Sequence, residues 1–101
     1  MATTTKALYR GAASLTTTTT LYTVPAATTT VVSNIAVANT AATAATFTLS
    51  LNSVDIATAV SVAANSTTFI DLKQVMNATQ IIKGGASATT VNFHISGVEI
   101  S

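Results

Sequence analysis

The side chains through which this chain could do chemistry are few: His94, Asp55, Asp71, Glu99, Lys6, Arg10, Lys73, Lys83 and the phenols Tyr9 and Tyr22. A triad or a zinc centre needs a histidine with close companions. His94 is the sole imidazole, cysteine is absent, and the three acids are far apart along the chain. It also sits on the parity opposite Val91, Phe93 and Ile95, which points it outward as a surface or interface histidine. Asp55 and Asp71 could serve as a general acid and base pair. However, Asp55 follows an Asn52-Ser53 turn and Asp71 lies between Ile70 and Leu72, so they read as a solvated carboxylate and a strand-edge gatekeeper. Gly84-Gly85 after Lys83 lacks the glycine and Lys-Ser/Thr spacing of a phosphate loop and reads as a turn. No catalytic, metal or cofactor residues are assigned, and the chain is not expected to be an enzyme.

The elements that carry these residues have a period of two. Phe47, Leu49 and Leu51 alternate with Thr46, Thr48 and Ser50, and Val91, Phe93 and Ile95 with Thr90, Asn92 and His94. Val31, Ile35 and Val37 share a parity that Ser33 interrupts. Threonine and valine suit a pleated surface. Breaks at Pro25-Ala26-Ala27, Asn39-Thr40-Ala41, Asn52-Ser53, Ala64-Asn65-Ser66 and Gly84-Gly85 divide the chain. The predicted strands are 6–12, 18–24, 29–38, 45–51, 57–62, 67–72, 80–83 and 89–100, with one turn of helix at 73–76. The fold class is all-β: a single antiparallel β-sandwich of about eight strands, Greek-key or jelly-roll-like.

Two local patterns add detail. In the last strand apolar parity shifts from Val91, Phe93 and Ile95 to Val98 and Ile100, which predicts a bulge at Ser96-Gly97. The segment Val24 to Val32 resembles Val62 to Ile70, which predicts two similar hairpin corners. Phe47 and Phe93, central in alternating strands, are expected in the core.

Composition limits the partners. Of the 101 residues 7% are charged and 49% hydrophobic, against about one quarter charged in an ordinary soluble domain. Such a chain has little charge with which to cover a surface, so cover by other protein is expected. The net charge of +1, with dispersed cations, provides no basic field for nucleic acid. No apolar run reaches the roughly 18 residues of a spanning helix, and no export signal is legible, so no membrane partner is expected. The runs Thr3 to Thr5, Thr16 to Thr20 and Thr28 to Thr30 lack the fixed period of a flat ligand-binding face and read as exposed strand surface.

A resemblance rests on five passages: Leu21-Tyr22-Thr23-Val24-Pro25-Ala26, Thr30 to Thr40, Thr46 to Leu51, the Ala63 to Thr67 corner, and Val91 to Ile100. Together they resemble small tailed-bacteriophage virion proteins over about residues 16–101. The resemblance implies a β-sandwich that occurs alone as a capsid decoration (cement) protein, or joined to tail and fibre components. It implies the major capsid protein as partner, self-association as a homotrimer or alternatively a dimer, synthesis in the host cytoplasm and a final place on the capsid surface. A tail, baseplate or fibre module and a carbohydrate-binding host adhesin are the alternatives. Where the family often has Gly after the Pro-Ala pair, this chain has Ala27, which disfavours a positive-φ turn there. Residues 1–14 read as an N-terminal arm or a first strand, and residues 15–101 as the sandwich. The candidate interface residues are Lys6, Leu8, Tyr9, Arg10 and Tyr22.

Overall fold

Alternating apolar and Thr/Ser/Asn residues produce strands with one buried face, and such strands are stable only when two sheets cover each other. The computed structural model describes residues 3–101. Its strands are β1 (Thr3–Ala12), β2 (Thr20–Thr23), β3 (Thr29–Asn39), β4 (Ala45–Leu51), β5 (Val54–Val62), β6 (Ser66–Met76), β7 (Ile81–Ala86) and β8 (Val91–Ile100). They form two four-stranded sheets, ordered β1-β8-β3-β6 and β2-β7-β4-β5, with every pair antiparallel. This is the eight-stranded order of a jelly roll. Only the β4–β5 connection stays within one sheet; the other six cross to the opposite sheet.

Between the sheets lie Phe47, Leu49, Val62 and Ile82 from one side and Val32, Ile35, Val37, Val91, Phe93 and Ile95 from the other. Phe47 and Phe93 meet edge to face, with ring centroids 6.2 Å apart and planes at 73°. That arrangement sets the positive edge of one ring against the negative face of the other. The β4–β5 hairpin turns on Asn52 and Ser53, both at positive φ, as a two-residue turn matched to strand twist requires.

Several expectations are corrected. Residues 73–76 continue β6 as strand and form no helical turn: cross-strand pairing of Thr30 to Val32 with Met76 to Gln74 overrides local propensity. Gly84 and Gly85 lie inside β7 rather than in a turn. A Cβ on Gly85 would stand 2.3 Å from the Thr16 carbonyl oxygen and 2.7 Å from that of Ser14, so glycine is present for close backbone approach. The repeated corners are not hairpins. Both carry the chain from one sheet to the other, β2 to β3 and β5 to β6.

The bulge lies elsewhere than predicted. β8 alternates without interruption through Gly97, and the extra residues belong to its partners. Where β8 advances one residue from Gly97 to Ser96, β3 advances two, from Val32 to Asn34, and β6 three, from Gln74 to Asp71. β1 likewise steps from Ala7 to Tyr9 while β8 steps from Ser96 to Ile95. A Cβ at Gly97 would meet the Val31 carbonyl oxygen at 2.3 Å and the Leu8 side chain at 3.0 Å, so the missing side chain makes room for Leu8. Val98 and Ile100 therefore lie on the outer face and Glu99 on the inner parity. The bulge at Ser33 also shifts parity within β3: Val32, not Val31, joins Ile35 and Val37 in the core.

Ala27 has φ 55° and Asn65 φ 52°, at equivalent positions of the two corners. Asparagine tolerates the left-handed region, whereas alanine there is strained by about 1 kcal/mol or more relative to glycine. Ala27→Gly is expected to raise stability by about 1 kcal/mol, read as a shift of the denaturation midpoint at unchanged slope. A lower midpoint would contradict the strain.

Candidate interaction surface

The segment read as an arm or first strand occupies the position of a first strand. β1 pairs with β8 from Thr3 to Ala12, and Ala13 N–H continues the pairing by donating to the Val91 carbonyl at 2.7 Å. Met1 and Ala2 lie outside the described residues.

The five candidate interface residues separate. Leu8 is buried at 8% exposure, a core residue unavailable to a partner. Tyr9 is half-buried against the core and donates its hydroxyl to the Ala12 carbonyl at 3.1 Å. Lys6 and Arg10 are exposed on β1, an edge strand. Tyr22 is buried; its ring belongs to the core and its hydroxyl to a polar cluster. Sequence pattern could not separate Leu8 and Tyr22 from a contact surface, because β1 bulges and β2 is only four residues long.

That polar cluster joins the two sheets. The Tyr22 hydroxyl on β2 donates to the Glu99 carboxylate on β8 and lies 3.0 Å from the buried Thr30 hydroxyl on β3. Lys6 Nζ on β1 donates to Glu99 Oε2 from 3.4 Å, the one ion pair among the described residues. The Tyr22 hydrogen bond, aided by Lys6 and opposed by desolvation, holds the Glu99 carboxyl below its ordinary range. Burial first, then the adjacent carboxylate, pushes the Tyr22 phenol above its own. Because Glu99 is more acidic folded than unfolded, its contribution is present above the usual carboxylate value of about 4.3. It is lost as pH falls through the lowered folded value. Tyr22 binds its proton more tightly folded, so its contribution is present below about pH 10 and is lost as pH rises through the raised folded value. Glu99→Gln is expected to flatten the acid limb of a plot of melting temperature against pH. An acid limb identical to that of the parent protein would remove Glu99 as its source.

A second cluster fixes one end of the sandwich. Asn39, 2% exposed at the end of β3, donates from Nδ2 to the Thr43 carbonyl at 2.8 Å and the Val62 carbonyl at 3.3 Å. Its Oδ1 accepts from Ala41 N–H at 3.1 Å and from the Thr90 hydroxyl at 3.3 Å. One amide thus ties the β3–β4 loop, the β5–β6 corner and the β7–β8 loop. The shallow hollow beside it, lined by Ala38, Asn39, Thr40, Asn65, Ser66 and Thr67, carries no titratable group.

The remaining candidates for chemistry are dispersed. Asp55 is exposed on β5 and accepts from the Thr58 hydroxyl at 3.1 Å. Asp71 is exposed on β6 and accepts from Asn34 Nδ2 at 3.4 Å. His94 lies on the outer face, paired in register with Arg10 and Ala36. No group of three His, Cys, Asp or Glu side chains that could hold a metal occurs among the described residues. Nor, among them, is any helix long and apolar enough to cross a membrane.

The exposed apolar side chains are the feature that sequence parity missed. Leu15, Val54, Ile56, Val60, Phe69 and Val75 are exposed, with Leu15, Val54, Phe69 and Val75 above 60%. Five of the six lie on β5 and β6, the edge strands that approach each other along one side of the sandwich. Phe69, not Tyr22, is the exposed aromatic. Against family models, curated proteins and solved structures, the chain finds no match.

Proposed function

We propose that this chain is a structural virion protein of a tailed bacteriophage, a capsid decoration protein that clamps neighbouring capsomers and has no catalytic role. The observation that carries the reading is the surface. A domain with seven charged residues leaves five large apolar side chains exposed on its edge strands β5 and β6, and such a concentration of exposed apolar side chains suits contact with other protein. The resemblance of residues 16–101 to small phage virion proteins gives that contact its class. The jelly-roll strand order supports it by analogy, since viral capsid domains use this architecture along with lectins and cupins.

In this role the major capsid protein is the partner, and symmetry multiplies modest contacts into a clamp. Lys6 and Arg10 offer charged contacts from β1, and Phe69 and Val75 apolar ones from β6. The protein would be made in the host cytoplasm and end on the capsid surface, with no nucleic acid, membrane or cofactor involved. Sugar binding is disfavoured because stacking on a sugar needs an aromatic platform, and among the described residues Tyr22 is buried, Tyr9 half-buried and Phe69 alone on its strand.

The test is copy number in purified virions by quantitative densitometry. A decoration protein is expected to approach the abundance of the major capsid protein. A few copies per particle would replace this reading with the tail or fibre module, and complete absence from virions would reject both.

A further inference from the structure

A β-sandwich presents four strand edges, and an unprotected one pairs with another chain. Three edges here are blunted. β1 carries Lys6 and Arg10 and bulges at Leu8; β2 has only four residues. β5 is irregular at two points and holds Ala59 at φ 48°. β6 also carries charges, Asp71 and Lys73, and its register against β3 slips once, at Leu72 and Lys73, but it runs eleven residues, from Ser66 to Met76, without proline or a positive φ, and no described strand pairs with its outer side.

Its sequence is also self-complementary. Phe69, Asp71, Lys73 and Val75 are all exposed and alternate along one face of the strand. They are symmetric about Leu72 in a particular way: Asp71 and Lys73 are opposite charges equidistant from it, and Phe69 and Val75 are apolar residues equidistant from it. Neither Asp71 nor Lys73 has an ion-pair partner among the described residues.

We propose that β6 is a homodimerisation edge: two copies pair their β6 strands antiparallel about a twofold axis at Leu72. Asp71 of each copy then faces Lys73 of the other, and Phe69 faces Val75, so two charge pairs and two apolar pairs form at once. The two four-stranded sheets become one eight-stranded sheet with β1 at both ends. The outer-face row Val98, Val31 and Val75, aligned in register within one chain, continues into Phe69 and Ala36 of the second copy. The pattern selects a partner. An isologous contact must be complementary to itself, and the opposite-sign pair about Leu72 meets that condition where two like charges would not. This pairing deepens the self-association within the virion reading, choosing twofold over threefold assembly. Its test uses purified protein alone, so particle binding can fail without affecting it, and the converse also holds.

The test is a charge swap read by sedimentation equilibrium, with melting curves to verify folding. The parent protein is expected to be a dimer. Asp71→Lys and Lys73→Asp each place like charges opposite one another twice, and each is expected to weaken the dimer roughly tenfold or more. The double variant Asp71→Lys/Lys73→Asp restores the complementary pairs and is expected to recover the affinity. Val54→Lys, on the other apolar edge, should leave the dimer intact. A monomeric or trimeric parent protein, single variants that dimerise as well as the parent, a double variant that stays dissociated, or a dimer dissolved by Val54→Lys would each overturn the proposal.

Discussion

Phe93→Ala and Phe47→Ala are each expected to destabilise the protein by about 3–5 kcal/mol, measured by chemical denaturation. Both rings are at most 1% exposed, at the centre of the sandwich, and each packs on the other from the opposite sheet. Truncation removes a large apolar group and leaves a cavity that β-sheet backbone on both sides cannot collapse to fill. Because domains of this size are stable by only about 5–15 kcal/mol, either variant should lie near the limit of folding at body temperature. The double variant adds a sharper test. The edge-to-face contact is expected to give a coupling of about 0.5–1.5 kcal/mol, so the two losses should not sum. Strictly additive losses would mean that the rings merely share a core.

Asn39→Ala is expected to cost about 3 kcal/mol, because it strands several buried polar groups at once. The Thr43 and Val62 carbonyls lose a donor, and Ala41 N–H and the Thr90 hydroxyl lose an acceptor. Asn39→Asp separates this account from a simple volume effect. It keeps the shape and the acceptor but turns a carboxylate oxygen toward two carbonyls, which disfavours the charged form. That variant is expected to be unstable at neutral pH and to recover part of its deficit as acid protonates the new side chain. An Asn39→Asp protein as stable at neutral pH as its parent would show that the three loops are held by other means.

The architecture was legible because its signals are periodic. Strands β3, β4 and β8, the break at Asn52-Ser53 and the inward placing of Phe47 and Phe93 all follow from alternation and turn chemistry, which act over a few residues. The errors have a common physical origin in the packing of one strand against another. A parity change at Val98 looks in sequence like a bulge in β8, but the extra residues lie in β1 and β3, which Gly97 admits by having no side chain. Gly84-Gly85 resembles a turn until the Ser14 and Thr16 carbonyls are seen pressed against Gly85.

The candidate contact surface was less legible than the fold. Leu8 and Tyr22 looked available because nothing local says that β1 closes on β8 or that Glu99 faces inward to meet a phenol 77 positions away in sequence. The exposed run on β6 was hidden for the opposite reason. Phe69 and Val75 are residue types expected in a core, but both lie on the outer face of β6, beside Ala36 and Val31 of β3, where no second sheet covers them.

The jelly-roll connections dictate when the molecule can acquire its shape. β1 takes its place beside β8 alone, so it has no hydrogen-bonding neighbour until β8, seven strands later, has emerged from the ribosome. β3 and β6 must likewise find each other across intervening chain, and loop-closure entropy opposes every such meeting before burial rewards it. Only the β4–β5 hairpin can form from its own neighbourhood, which makes it the natural seed. Refolding is accordingly expected on the millisecond-to-second scale of sandwiches dominated by non-local pairing. During synthesis β1 and its weakly charged neighbours stay exposed until β8 has emerged to pair with them.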